Sequence, residues 1–296
     1  MSRENPKLRA QINDGEFIVT VQLDPPAESE FPNLLSSVLD LRESGITVFD
    51  INGSRRDCMS SFDVASRLSA LDLEVMPHVT ARDTALEPIL MQVSHGYREQ
   101  KINNVLIVTG DPYNSLDGNP DPRNIFQTKS VGIISSLDRE LRRTGQTPDL
   151  VIAAAINPNA DTLSREGARL KAKDREGADI FMGQPVFDTE QARSAFRFLK
   201  DSSKKPLLAG IWPFAHIQTV ENIHAGKIKG VVLPEAIYEQ AMHYTDNPEG
   251  LREWSFEQTR QTVNTIKEEG LAQGIYIVAP LRQPSQLVDF VESLHQ

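Results

Sequence analysis

Short apolar runs alternate with longer amphipathic stretches along almost the whole chain. Most of the short runs are apolar at consecutive positions, which is typical of parallel strands buried on both faces. They occupy residues 17–22, 46–52, 73–79, 104–109, 150–156, 178–183, 206–211 and 274–278. The stretches with helical periodicity occupy residues 33–44, 60–70, 85–100, 130–144, 161–176, 189–202 and 258–270. Eight strands that alternate with helices within 296 residues predict an α/β fold, the (β/α)₈ TIM barrel.

An open doubly wound sheet is the main alternative to the barrel. Such a sheet usually carries a glycine-rich nucleotide turn after its first strand, whereas residues 24–27 read DPPA and no G-x-G-x-x-G motif occurs. We therefore predict one barrel domain over residues 1–296, with 1–14 as an N-terminal extension or helix. Residues 212–273 are longer than one βα unit and predict an extra helix and loop over the barrel top.

Composition narrows the class of protein. The formal charge of −10 argues against a nucleic-acid-binding surface and against docking to anionic membranes. A single cysteine, Cys58, excludes an intrachain disulfide and a thiolate metal cluster, so we expect a reducing compartment and no metal site. The polar N-terminus resembles no signal peptide, and no apolar stretch is long enough to span a membrane. The expected location is the cytoplasm.

Polar side chains stand where the predicted strands end. In a barrel the carboxyl ends of the strands carry the chemistry, so these residues predict a binding site. The strand-end residues are Gln22, Asp24, Asn52, Ser54, His78, Thr80, Thr109, Asp111, Asn157, Gln184 and Trp212. Trp212 has two interpretations, packing at the barrel top or an aromatic wall for a flat ligand.

Five motifs follow one another along the chain. They read VQLDPP at 21–26, HVTARD at 78–83, VTGDP at 108–112, KAK then EGAD within 171–179, and GQPVFD at 183–188. In order and spacing they resemble the methylenetetrahydrofolate reductase family, and the chain is similar to its bacterial single-domain type. The resemblance extends over about residues 15–290.

The resemblance implies a flavin-dependent reaction of one-carbon metabolism. FAD would be reduced by NADH or NADPH, and 5,10-methylenetetrahydrofolate would then bind in place of the nicotinamide. Protonation on the N10 side opens the folate ring to an iminium, which a hydride reduces to 5-methyltetrahydrofolate. The resemblance also leaves room for a homo-oligomer or a partner enzyme of one-carbon metabolism.

The resemblance assigns roles to particular residues. Asp111 would orient the pterin, and Gln22 and Asp111 would be the two catalytic residues. The implied flavin contacts are His78, Thr80, Thr109, Gly110, Asp111, Asn157, Glu166, Arg169 and Lys173. The implied folate contacts are Gln22, Asp111, Gln184 and Arg282.

Several of these residues also have purely structural interpretations. His78 is interpretable as a buried structural histidine, and the Gly-Asp-Pro sequence at 110–112 as a tight turn. Arg82 and Asp83 would then pair only to fix their loop. Arg169 and Lys173 are four residues apart on a helix, where they would form either a phosphate site or a solvated basic face.

Gln22 stands where the family carries the glutamate that donates the proton. An amide keeps the size and hydrogen bonding of that acid but cannot transfer its proton. Three explanations are open. Another acid substitutes, with Asp24, Glu28 and Glu30 as candidates; the reaction runs differently, for example in reverse or with water as the acid; or the barrel binds folate or flavin without reductase activity. In the last case the chain would serve a partner methyltransferase or reductase complex.

Overall fold

The computed structural model describes residues 7–53, 58–113, 121, 124–280 and 283–294. Eight parallel strands form a closed barrel in which each strand pairs with the next and β8 pairs with β1. The strands are β1 (Ile18–Leu23), β2 (Val48–Ile51), β3 (Glu74–Thr80), β4 (Asn104–Val108), β5 (Val151–Ile156), β6 (Ile180–Val186), β7 (Leu207–Ile211) and β8 (Gly274–Val278). The predicted TIM barrel is confirmed.

Helices surround the barrel and connect its strands. They are α1 (Lys7–Asp14), α2 (Phe31–Glu43), α3 (Ser61–Ser69), α4 (Leu86–Glu99), α5 (Ser130–Ser136), α6 (Leu163–Arg175), α7 (Thr189–Lys200), α8 (Ile217–His224), α9 (Glu235–Met242), α10 (Pro248–Glu268) and α11 (Val288–Ser293). The predicted helix at 130–144 is divided, because a π-helical turn over Leu137–Arg142 follows α5. None of the described helices combines the length and apolarity needed to cross a membrane.

The segment after β7 differs from its prediction. Instead of one extra helix it contains α8 and α9, and α10 begins at Pro248, ten residues before the predicted start at 258. The apolar run at 230–234 contributes Val231 and Leu233 to a separate hydrophobic cluster with these helices. The first turns of α10 contain few apolar residues, so periodicity did not predict them. Asn247 caps the helix by accepting a hydrogen bond from the backbone amide of Gly250 at 3.0 Å.

Two apolar layers hold the barrel together. The larger one lies between the strands and the outer helices and includes the fully buried Phe49, Phe181 and Phe196. The smaller one fills the barrel interior and includes Ile18 and Met76. Because side chains alternate along a strand, residues 18, 20 and 22 of β1 share the interior face.

Helix α1 closes the amino-terminal end of the barrel. Leu8 is fully buried within the interior cluster. The backbone amides of Lys7 and Leu8 donate to the Glu74 carboxylate at 2.6 and 3.0 Å, so a residue of β3 satisfies the first turn of the helix. Arg9 pairs with Asp179 at 3.1 Å. Any ligand site is thereby directed to the carboxyl-terminal end.

Candidate functional site

A ring of half-buried polar side chains lines the carboxyl-terminal end of the barrel. We call it the polar mouth, which consists of Gln22, Thr80, Asn157, Gln184 and Trp212. All five were predicted from the sequence as strand-end residues. Below the mouth the interior is filled by buried side chains, so the ring is the part of the barrel end that keeps some exposure to solvent.

Gln22 lies beside an acid that was not predicted. Its Cα pairs in register with Asp50 of β2 on one side and Val278 of β8 on the other. Gln22 has no side-chain hydrogen bond to any described residue, whereas Asp50 is completely buried. The sequence carried one signal for Asp50, a charged residue inside the apolar run 48–51, but periodicity alone does not distinguish its two faces.

Asp50 is the centre of a buried polar cluster. Its Oδ1 lies 3.1 Å from Nε2 of His78, and its Oδ2 accepts a hydrogen bond from Thr20 Oγ1 at 3.2 Å. Burial raises the pKa of Asp50 above its ordinary value, and the contacts with His78 and Thr20 oppose this shift. Burial, and then the charge of Asp50, raise the pKa of the Tyr276 hydroxyl. His78 is therefore partnered by a carboxylate rather than isolated.

Arg82 fixes the loop that carries Asp111. Its guanidinium donates to both oxygens of Asp83, at 2.6 and 3.0 Å, which confirms the predicted pairing. It also donates to the Asp111 carbonyl at 2.8 Å and stacks over the Tyr113 ring at 3.9 Å. The backbone of Asp111 is thus held while the residue remains exposed at the edge of the mouth.

Gly110 permits close packing between this loop and β3. Its φ of +79° lies in the left-handed region, and a Cβ there would stand 2.4 Å from Cγ2 of Thr80. The neighbouring Thr109 is exposed, and its hydroxyl donates to Ser130 at 3.2 Å. The glycine is therefore required by the protein's own packing, independently of any ligand.

The predicted basic pair on α6 is divided between solvent and interior. The Arg169 side chain is 60% exposed and contacts Glu166 at 3.1 Å. Lys173 is buried, donates to the Ala155 carbonyl at 2.5 Å and has its pKa lowered by burial. Glu166 accepts a hydrogen bond from the backbone amide of Asn157 at 2.9 Å. Hence α6 presents one exposed cation at this position, and Lys173 is not part of a solvated basic face.

An amide network fastens the segment after β7 over the mouth. Nδ2 of Asn159 donates to the carbonyls of Pro185 and Gly230, at 3.0 and 3.2 Å. Nε2 of Gln191 donates to Oδ1 of Asn159 at 2.7 Å and to the Val232 carbonyl at 2.8 Å. These residues were not predicted, since no local pattern shows that an amide on α7 will bind a loop about 40 residues away.

Gly230 lies directly over two residues of the mouth. A Cβ on this glycine would stand 3.5 Å from Nδ2 of Asn157 and 3.8 Å from the side-chain carbonyl carbon of Gln184. Trp212 packs against both the barrel interior and the cluster beneath α8 and α9. The packing interpretation of Trp212 is thus confirmed, and its side chain stays partly exposed.

The remaining predicted acids are not equivalent. Asp24 accepts a hydrogen bond from Nδ2 of Asn52 at 2.8 Å near the mouth. Glu28 pairs with Arg67 on the outside of the barrel, and Glu30 ends the short 3-10 turn Glu28–Glu30 that precedes α2. Ser54 and Arg282 lie outside the described residues. Among the described residues, no group of histidine, cysteine and carboxylate side chains is arranged to hold a metal ion.

Solved structures share the fold at low sequence identity. An uncharacterized protein from Clostridium thermocellum that binds two copies of 5-methyl-5,6,7,8-tetrahydrofolic acid aligns with a TM-score of 0.69 and 16% identity, over 97% of this chain and 98% of that chain. A 2,3-dimethylmalate lyase aligns with a TM-score of 0.53 and 12% identity, over 97% and 83%. These likenesses establish the fold alone.

Comparison at the sequence level gives a family. Curated proteins give no significant match. The family described as methylenetetrahydrofolate reductase matches residues 7–287, which include every strand of the barrel and all the motifs of the mouth.

Proposed function

Because this chain belongs to the methylenetetrahydrofolate reductase family, we propose that it is a folate-linked one-carbon oxidoreductase. The reaction is the interconversion of 5,10-methylenetetrahydrofolate and 5-methyltetrahydrofolate. The observation that carries the proposal is the polar mouth, where Gln22, Asn157 and Gln184 present uncharged amides beside the exposed Asp111. Amides donate and accept hydrogen bonds, and a carboxylate accepts them from an amino group, which matches the edge of a pterin.

A folate ligand is supported by a structural relative as well. The Clostridium thermocellum protein with the same fold binds 5-methyl-5,6,7,8-tetrahydrofolic acid. In this chain the exposed part of the Trp212 indole would contact the flat pterin ring. Gln184 and Gln22 would orient the ring from β6 and β1, and Asp111 would bind its amino group. Arg282 would contact the acidic tail of the folate.

The rim from β3 to α6 suits FAD in its donor set. Thr80, Thr109 and Asn157 offer hydroxyl and amide groups, and the exposed Arg169 offers a positive charge for a phosphate. Lys173 would contribute its charge from beneath, Gly110 and Asp111 would line the same rim, and the buried His78 and Glu166 would support it from below. When bound, FAD would supply hydride transfer between NADH or NADPH and the folate carbon.

Gln22 affects the rate of the proposed reaction. Loss of a general acid typically lowers a rate about 10²- to 10⁴-fold. In the reverse direction, hydride removal from 5-methyltetrahydrofolate comes first and needs no acid, whereas the later closure of the ring at N10 is slowed by the same factor as its opening. A second function, folate or flavin binding in the service of a partner methyltransferase or reductase complex, is favoured by the same substitution.

The test combines a spectrum, a binding measurement and an assay. We expect the purified chain to be yellow, to bleach with NADH or NADPH without oxygen, and to bind 5-methyltetrahydrofolate in titration calorimetry. Gln22→Glu should raise the rate of NAD(P)H oxidation with methylenetetrahydrofolate at least about tenfold. Gln146→Glu, which adds the same carboxylate at an exposed position after the π-helical turn, should leave that rate unchanged.

The outcomes separate the two functions. Folate binding together with flavin-dependent turnover supports the oxidoreductase. Folate binding without turnover in the parent and in Gln22→Glu supports the partner-dependent binding protein instead. A chain that binds neither folate nor flavin contradicts both proposals.

A further inference from the structure

The acid nearest to Gln22 in the barrel wall is buried and belongs to a pair. Asp50 is the register partner of Gln22 on β2, and its Oδ1 lies 3.1 Å from Nε2 of His78 on β3. The Asp50 side chain has no exposed surface, whereas the His78 side chain retains 6%. Nδ1 of His78 has no hydrogen-bond partner among the described residues. Within the pair, His78 is therefore the member that keeps some exposed surface.

The surroundings of Asp50 and His78 favour a proton shared within this pair. A buried carboxylate without a positive partner is costly, so Asp50 either holds a proton itself or faces a protonated His78. Thr20 of β1 donates to Asp50 at 3.2 Å, but its hydroxyl is neutral and supplies no positive charge to balance the carboxylate. Tyr276 of β8 also faces Asp50 and stays protonated, since burial raises its pKa. Leu106, the register partner of His78 on β4, is apolar.

We propose that His78 is the proton donor of this enzyme in place of the absent glutamate, and that Asp50 is the positioning residue that holds the proton on it. The inference rests on the proposed function and deepens it, because it assigns the acid for the same folate substrate. It differs from the sequence candidates Asp24, Glu28 and Glu30, of which the latter two lie outside the barrel opening. Gln22 then orients the substrate as a hydrogen-bonding amide.

The step balances without any further reactant. The proton on Nδ1 of His78 moves to N10 of 5,10-methylenetetrahydrofolate, where the N10 lone pair accepts it. The bond from N10 to the methylene carbon breaks and its electron pair stays on N10, while the N5 lone pair forms the carbon–nitrogen double bond of the iminium. His78 becomes neutral beside Asp50 and regains a proton from solvent. Ring opening itself involves no oxidation or reduction.

The first measurement needs no cofactor and no turnover. ¹⁵N NMR of the histidine rings in the free protein reports which ring nitrogens of His78 carry hydrogen. We expect the nitrogen signals of the His78 ring to differ between the parent and Asp50→Asn at the same pH, because the carboxylate that lies 3.1 Å from Nε2 is gone. The same ring state in both proteins would overturn the role of Asp50.

The second measurement is a rescue. His78→Gln should lower turnover of methylenetetrahydrofolate about 10²- to 10⁴-fold with little change in folate affinity. In the Gln22→Glu background the same change should cost less than about threefold, since the glutamate supplies the acid again, and the two changes are then strongly non-additive. Equal losses in both backgrounds would show a structural role for His78 and overturn the proposal.

The control is a buried carboxylate at the other end of the barrel. Asp179→Asn removes a charge paired with Arg9 and Arg142 and should lower stability while leaving the pH profile of turnover unchanged. Calorimetric binding of 5-methyltetrahydrofolate to each variant tests the proposed function separately from the identity of the proton donor. Absence of binding in the parent contradicts the proposed function, whereas binding with an unimpaired His78→Gln variant contradicts only the proton donor.

Discussion

The two ends of the barrel use the same eight strands for opposite purposes. At the amino-terminal end, charged side chains are paired: Glu74 binds the start of α1, and Arg9 and Arg142 both contact Asp179. At the carboxyl-terminal end the polar mouth is formed by half-buried amides, a hydroxyl and an indole. Satisfied polar groups stabilise a fold, whereas polar groups facing solvent are available to a ligand. The difference leaves paired charges at one end and polar groups accessible to a ligand at the other.

The largest expected effect tests the closed end. Leu8→Ala should lower the free energy of unfolding by about 2–5 kcal/mol, because it leaves a cavity where α1 plugs the barrel. Folate affinity should change little, since Leu8 lies at the opposite end. Urea unfolding and calorimetry measure the two quantities. Leu39→Ala, at an exposed position of α2, is the matched control and should stay within about 0.5 kcal/mol. An equally small effect of Leu8→Ala would contradict the stabilising role of the amino-terminal end.

The second prediction tests the open end. Gln184→Ala should weaken binding of 5-methyltetrahydrofolate about tenfold, because removal of one hydrogen-bonding amide costs on the order of 1–1.5 kcal/mol. The free energy of unfolding should fall by less than that amount, since Gln184 is half-buried at the mouth. Gln240→Ala on the exposed side of α9 serves as the control. Unchanged affinity in Gln184→Ala would remove the mouth from the folate site.

A smaller effect concerns the buried cation at the open end. Burial lowers the pKa of Lys173 below its ordinary 10.5, so the folded chain binds this proton less tightly than the unfolded chain. Between the lowered pKa and 10.5 the unfolded state carries more protons, and the stability contribution of Lys173 therefore rises with pH.

Lys173→Met should remove this rise. The slope that disappears is at most that of one proton, about 1.4 kcal/mol per pH unit. Unfolding measured at several alkaline pH values for the parent, Lys173→Met and the exposed control Lys171→Met gives the difference. A slope identical in all three would show that Lys173 ionises as a solvated lysine.

The smallest expected effect is on stability at Arg169. Because its side chain is 60% exposed, Arg169→Ala should change the free energy of unfolding by less than about 0.5 kcal/mol. It should nevertheless weaken FAD binding, and the difference from the parent should shrink as salt is added. Flavin retention measured by absorbance at low and high salt checks this. Equal retention at low salt would place the phosphate elsewhere.

The sequence predicted the fold more completely than the site. Eight apolar runs gave eight strands, since burial on both faces of a parallel strand appears directly in the local pattern. Gln184 and Asn157 were predicted at the mouth because both sit at predicted strand ends, and Gln184 also lies within the motif at 183–188. Asp50 and Gln191 were missed, because their importance comes from His78 and Asn159, which are 28 and 32 residues away in the chain.

By itself, the sequence determined the barrel and the family, since both are properties of local pattern and residue type, and it led to the hypothesis that Gln22 replaces an acid. Only the tertiary structure decided what surrounds Gln22. Strand register sets Asp50 against Gln22 and within 3.1 Å of His78, and packing turns Lys173 inward while Arg169 faces solvent. Pairing and burial depend on residues distant along the chain, so they arise only when the barrel closes.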